Sequence, residues 1–150
     1  MKSIWDKSDT AEMLARIDKL TPATQRLWGK MSVGQMLAHC NVSYEMAYTD
    51  KHPRPNALVR FLLKLLIKKP VVNERPYKRN TATGPMFVMK ETKDFEAEKR
   101  RLREHIVKTR DLGEAHFHGK VSHSFGPLTA KEWNNMFHKH LDHHLRQFGA

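Results

Sequence analysis

The stretch that most constrains this chain runs from Trp133 to Phe148 and reads W-N-N-M-F-H-K-H-L-D-H-H-L-R-Q-F, with four histidines inside seven positions. At about 100° per residue, a helix here gathers Trp133, Phe137, Leu141 and Phe148 into one sector, with His140 and His144 inside or beside it. Those two histidines are expected to point inward. Asp142 falls roughly opposite, His138 well to the side and His143 at the margin. Spaced i and i+4, His140 and His144 stand one above the other, near enough for both rings to reach one metal ion. The ends of the helix are written locally as well. Thr129 and Glu132 have the spacing of a capping box, Leu128 and Trp133 that of a hydrophobic staple, and Gly149 stands where a helix takes a left-handed residue to stop.

The chain of 150 residues is the size of one domain, and 39% hydrophobic with 29% charged residues fits a packed globular core. No apolar leader precedes Trp5, and a single cysteine, Cys40, excludes an internal disulfide, so the cytoplasm is the expected compartment. The net charge of +11 favours an anionic partner of some kind. No recognisable nucleic-acid motif accompanies it, so sequence-specific nucleic-acid binding is not expected.

Taken in order, Ser8 to Leu20 carries Met13, Ile17 and Leu20 at helical spacing, with Asp9 and Glu12 as capping candidates. Ser32 with Gln35 forms a second capping box, stapled by Met31 and Met36, and opens a helix through about Ala47. Its main apolar face is Val33, Met36, Leu37, Cys40, Tyr44 and Ala47; His39 lies on a flank, which in a bundle can face the groove between neighbouring helices. Ala57 to Lys69 is apolar except for Arg60, Lys64 and Lys68, a cationic stripe repeating every four residues. It is too short to span a bilayer. The favoured expectation is a short helix that covers the bundle or joins two copies into a homodimer, ahead of a membrane-surface helix. Pro70 to Lys93 reads as an extended connection, with a short extended piece at Met86-Phe87-Val88-Met89, and a connection this long usually covers something. Asp94 to Leu112 is a further helix with Phe95, Leu102, Ile106 and Thr109 inward, closed by Gly113, and Glu114 to Pro127 is a loop. The expected fold is therefore all-α: an up-down four-helix bundle with an extra short helix and a long crossing connection.

Three blocks carry a resemblance: Trp28-Gly29-Lys30-Met31-Ser32-Val33-Gly34-Gln35-Met36-Leu37-Ala38-His39, then Phe125-Gly126-Pro127-Leu128-Thr129 with Trp133, and Lys139-His140-Leu141-Asp142-His143-His144-Leu145-Arg146-Gln147-Phe148. On these the chain resembles the DinB-like superfamily of four-helix bundles, in a subfamily of unassigned function. The resemblance implies a divalent metal held by His39, His140 and His144, and some members resemble transferases that add a low-molecular-weight thiol to an electrophile. Arg146 stands where the last block usually has glycine, which leaves the histidine pattern intact.

Three neutral imidazoles leave the charge of a divalent ion uncompensated, and zinc, nickel and manganese are not distinguished by such a set. A thiol or a water at an open position would lose its proton more readily. Peptide-type hydrolysis normally adds a carboxylate base, and the nearest acids, Asp142 and Glu45, are expected to face away. Transfer of a small thiol is thus the leading expectation. A metal-dependent hydrolase and a non-catalytic basic bundle that binds an anionic partner are the alternatives. His143 and Gln147 are candidates to orient the ligands; His143 is also an alternative ligand to His140. His52, His116, His118 and His138 are expected in solvent, and Cys40 as a small apolar filler.

Overall fold

The computed structural model describes residues 2–150. Four long helices carry the core: α1 (Lys7–Asp18), α2 (Val33–Tyr48), α5 (Phe95–Phe117) and α6 (Ala130–Gln147). Between α2 and α5 lie α3 (Ala57–Leu66) and α4 (Lys68–Val72), and between α5 and α6 a two-stranded antiparallel hairpin of β1 (Val121–Ser122) and β2 (Gly126–Pro127). The helices α1 and α2 each pack against both α5 and α6, making an all-α bundle with one long crossing.

Both predicted capping boxes are present. The Ser32 hydroxyl accepts from Gln35 N while the Gln35 side chain accepts from Ser32 N, and Thr129 and Glu132 exchange the same pair of bonds. Each satisfies two of the donors that a helix start leaves open. Gly149 ends α6 at φ 72°. At α1 the expected cap is corrected: Asp6, not Asp9 or Glu12, accepts from Ser8 N and Asp9 N, so the helix begins earlier than the periodicity implies. Gly113 does not close α5. It adopts φ 74° and kinks the helix, which resumes to Phe117 and brings that ring beneath Trp133.

The interior is an aromatic column that ties three helices together. Tyr44 of α2 stacks on Phe137 of α6 at 4.7 Å, Phe137 stacks on Trp133 at 5.3 Å, and Phe117 of α5 meets both edge-on. Each such ring contributes about 1.5–3 kcal/mol by leaving water. From Val33 to Glu45 every residue of α2 except Gln35 is buried, which makes it the central helix.

The crossing connection departs most from expectation. The Ala57 to Lys69 helix breaks at Ile67, and Pro70 lies inside α4 rather than at the start of the extended connection. A 3-10 turn at Pro85–Phe87 replaces the expected extended piece. At one end α6 holds the connection: Asn135 donates to Val72 O at 2.9 Å, and the buried Lys139 ammonium donates to Pro70 O (2.8 Å), Asn73 O (2.6 Å) and Asn73 Oδ1 (3.1 Å). At the other end α2 holds it, with Gln35 Nε2 donating to Met89 O and Glu91 O. Gly34 allows this approach, since a Cβ there would stand 2.8 Å from Lys93 O. The connection therefore lies across the groove between α2 and α6. Among the described residues no helix is long and apolar enough to cross a membrane.

Candidate metal centre

That groove holds His39 of α2 and His140 and His144 of α6, with one ring nitrogen of each within 4.8 Å of the others. His39 and His144 are buried, and His140 is half-buried. The ring centroids stand 4.4 to 4.9 Å apart.

Hydrogen bonds decide which nitrogens are available. His39 Nδ1 is 2.9 Å from the Phe87 carbonyl oxygen, an acceptor only, so Nδ1 carries the hydrogen and Nε2 the lone pair. Gln147 Nε2 donates to Trp28 O at 2.8 Å, which orients the amide so that Gln147 Oε1 accepts from His144 Nδ1, also at 2.8 Å. His144 Nε2 is therefore a second free lone pair. His140 is the adaptable member. Its Nδ1 is 3.0 Å from Ser43 Oγ and its Nε2 is 2.9 Å from His39 Nε2. With no ion between the rings, Ser43 donates to Nδ1 and His140 Nε2–H donates to His39. With an ion there, Nδ1–H donates to Ser43 Oγ and the third Nε2 lone pair is freed. A hydroxyl serves both arrangements because it can donate or accept. The donor set thus fits a divalent cation with one change of tautomer and no net gain or loss of protons.

Electrostatics keep the rings neutral. Burial pushes the His144 pKa down to about 3, with proximity to His39 adding to the effect and the Gln147 bond opposing it. Burial and then the neighbouring His144 and His39 rings hold His140 well below the ordinary imidazole value. Burial lowers His39 as well, against the Phe87 carbonyl. Ligand imidazoles must be neutral, and an oriented Nδ1–H is the usual companion of metal-binding Nε2.

The sequence-predicted residues divide clearly. His140 and His144 converge as the wheel expects, and His39, ranked lower on its flank, is drawn in because that flank faces α6. Gln147 orients His144. His143 stays out of the group, half-buried, with its edge toward Trp28 (6.0 Å) and Tyr77 (5.7 Å). Asp142 is bound by Arg16 at 2.8 Å and Arg146 at 2.9 Å. Glu45 is buried in its own network with Arg101, Lys51 (2.9 Å) and His52 (2.7 Å). Two solvent assignments are corrected: His52 is half-buried on Glu45, and His138 is half-buried on α6. His116 and His118 are exposed. Cys40 is a buried filler whose thiol pKa burial pushes far up.

Sequence reasoning missed the Phe87 carbonyl, which has no side-chain signature, and Arg79, whose guanidinium lies over the Trp28 ring at 4.1 Å beside His143. Gly29 (φ 81°) stands in the sequence only as a member of the first resemblance block. A Cβ there would stand 2.3 Å from Gln147 Nε2, so glycine lets the Trp28 turn close onto the amide that orients His144. Replacing Gln147 by leucine is expected to leave His144 Nδ1–H and Trp28 O unpaired, at a cost of about 1–3 kcal/mol. Urea unfolding would read this loss, and a variant as stable as the wild type would show that the amide does not tie the Trp28 turn to α6.

The fold and the site define a helical bundle with a three-histidine group that could hold a metal ion. The chain belongs to the family described as protein of unknown function (DUF1569), whose profile matches residues 5–150. Neither the curated proteins nor the solved structures contain a significant match to it.

Proposed function

We propose that this protein is a metal-dependent enzyme of the DinB-like kind, in which His39, His140 and His144 hold a divalent ion and a low-molecular-weight thiol is transferred to an electrophile. One observation carries the proposal: three neutral imidazoles from two helices, two buried and one half-buried, present their Nε2 atoms to a shared point, and each Nδ1 has a partner on the far side. When bound, such an ion supplies Lewis-acid chemistry, lowering the pKa of a thiol or water beside it.

The surrounding residues do the rest. Ser43, Phe87 and Gln147 orient the three rings. Arg79, stacked on Trp28 and with no acidic partner among the described residues, is placed to receive a carboxylate of an anionic thiol. Hydrolysis is the weaker reading because neither Asp142 nor Glu45 is free to act as a base; both are committed to arginines. A purely electrostatic role for the basic bundle does not explain why three histidines are oriented so closely.

Elemental analysis of untagged protein, wild type beside His140→Ala, tests the centre. The wild type is expected to carry a stoichiometric divalent metal that the variant lacks, and added zinc, nickel or manganese is expected to raise the melting temperature of stripped wild-type protein alone. Absence of both effects would overturn the proposal. Transfer of a carboxylate-bearing thiol to an electrophile, dependent on the ion and absent in His140→Ala, would then separate transferase from hydrolase.

A further inference from the structure

The helix α3 is turned the opposite way from the rest of the bundle. None of its residues is buried, and Leu58 (69%), Phe61 (62%), Leu65 (66%) and Leu66 (65%) are largely exposed. On a wheel of about 100° per residue, Leu58, Phe61, Leu62, Leu65 and Leu66 form one continuous arc. Leu63, outside that arc, is the residue of α3 that packs on the core. The exposed arc is therefore the apolar face of a helix rooted in the protein by its other side. A contiguous apolar face of this kind marks an interaction surface.

Charge identifies its partner. From residue 51 to residue 73 the chain has six cations, Lys51, Arg54, Arg60, Lys64, Lys68 and Lys69, and no acid. Among the described residues Arg60, Lys64 and Lys69 have no acidic partner, whereas Lys68 is paired with Glu132. Arg60 and Lys64 border the apolar arc on its Phe61 side. Lys64 and Lys69 also line an open groove of about 540 Å³ beside α4 and the start of α6, whose wall carries Lys68, Lys131, Glu74 and Glu132 as well. Two copies pairing through this face would bring like charges together, with no acid on the segment to answer them. An anionic lipid surface answers them.

We propose that α3 is an interfacial helix that seats this protein on an anionic bilayer. Leu58, Phe61, Leu62, Leu65 and Leu66 enter the boundary between headgroups and acyl chains, and Arg60, Lys64 and Lys69 reach back to the headgroup phosphates. At ten residues the helix is about 15 Å long, half of what a bilayer core requires, so it lies on the surface and does not cross it. The proposal is independent of the metal centre.

Flotation of the full chain with vesicles of phosphatidylcholine, with and without phosphatidylglycerol, tests it. Partition is expected on the anionic vesicles only, weakening with salt. Phe61→Ser/Leu65→Ser, and separately Leu58→Ser/Leu62→Ser, are expected to reduce it by about tenfold or more, with helix content by circular dichroism and sedimentation as a monomer unchanged. No partition onto anionic vesicles at low salt would overturn the proposal. So would partition that both serine pairs leave unaltered, which is attraction by the net charge alone, or a wild-type dimer that the serine pairs dissolve, which makes the occupant a second copy.

Discussion

Acidification from pH 7 to pH 5 is expected to remove about 2 kcal/mol from the stability of the metal-free protein through His144, with His140 adding to the loss. In the unfolded chain each imidazole titrates near its ordinary value of about 6.5. In the fold, burial holds His144 down to about 3 and His140 well below the ordinary value. Between those limits the unfolded state binds protons that the folded state refuses. Stability is therefore full above about pH 6.5 and falls with decreasing pH by about 1.4 kcal/mol per unit for His144, with His140 and His39 adding to the slope. The three rings titrate as a coupled group, so the transition belongs to the cluster. Urea unfolding at both pH values measures it, and His144→Leu should flatten the dependence. An unfolding free energy unchanged from pH 7 to 5 would mean that these rings are not held neutral. A divalent ion competes with protons for the same lone pairs, so adding one should move the fall to lower pH.

Lys139→Met should cost about 3–5 kcal/mol, although no charged partner is lost. Methionine keeps most of the aliphatic stem, whereas the ammonium it replaces donates to Pro70 O, Asn73 O and Asn73 Oδ1 and lies 4.5 Å from the centre of the Tyr77 ring. A charge-assisted bond of this type contributes about 1.5–3 kcal/mol, three from one ammonium add to less than their sum, and their loss leaves buried carbonyls unpaired. The effect should extend beyond global stability. Lys139 ties the start of the crossing connection to α6 one residue before His140, and the same connection delivers Phe87 to His39 and Arg79 to Trp28. Hydrogen exchange should therefore rise across residues 70 to 93 before the core helices open. A variant with wild-type stability and unchanged exchange there would show that the lysine is incidental.

Where the interactions are local the sequence reveals most helix ends and faces, although it missed the Asp6 cap of α1 and read the Gly113 kink as an end. The capping boxes at Ser32 and Thr129, the stop at Gly149, and the inward turn of His140 and His144 all depend on residues within about four positions of one another. The wheel also identified the charged stripe of α3, but it could not say whether the apolar side of that helix looks in or out, because a wheel has no neighbour. His39 illustrates the same limit on a smaller scale. Its flank position is a property of α2, and its value as a ligand comes from the placement of α6 beside that flank.

The amino-acid order by itself determined that this chain forms capped amphipathic helices, that its last helix carries an inward histidine pair, and that its surface is strongly basic. Tertiary structure alone decided that a backbone carbonyl at Phe87, a hydroxyl at Ser43 and an amide at Gln147 orient three rings from two helices, and that α3 keeps its apolar face outside. Periodicity and capping are set by side chains a turn apart. Convergence of groups separated by a hundred residues, such as His39 and His140 at 2.9 Å, follows from how packed helices cross and where the connection between them is fastened.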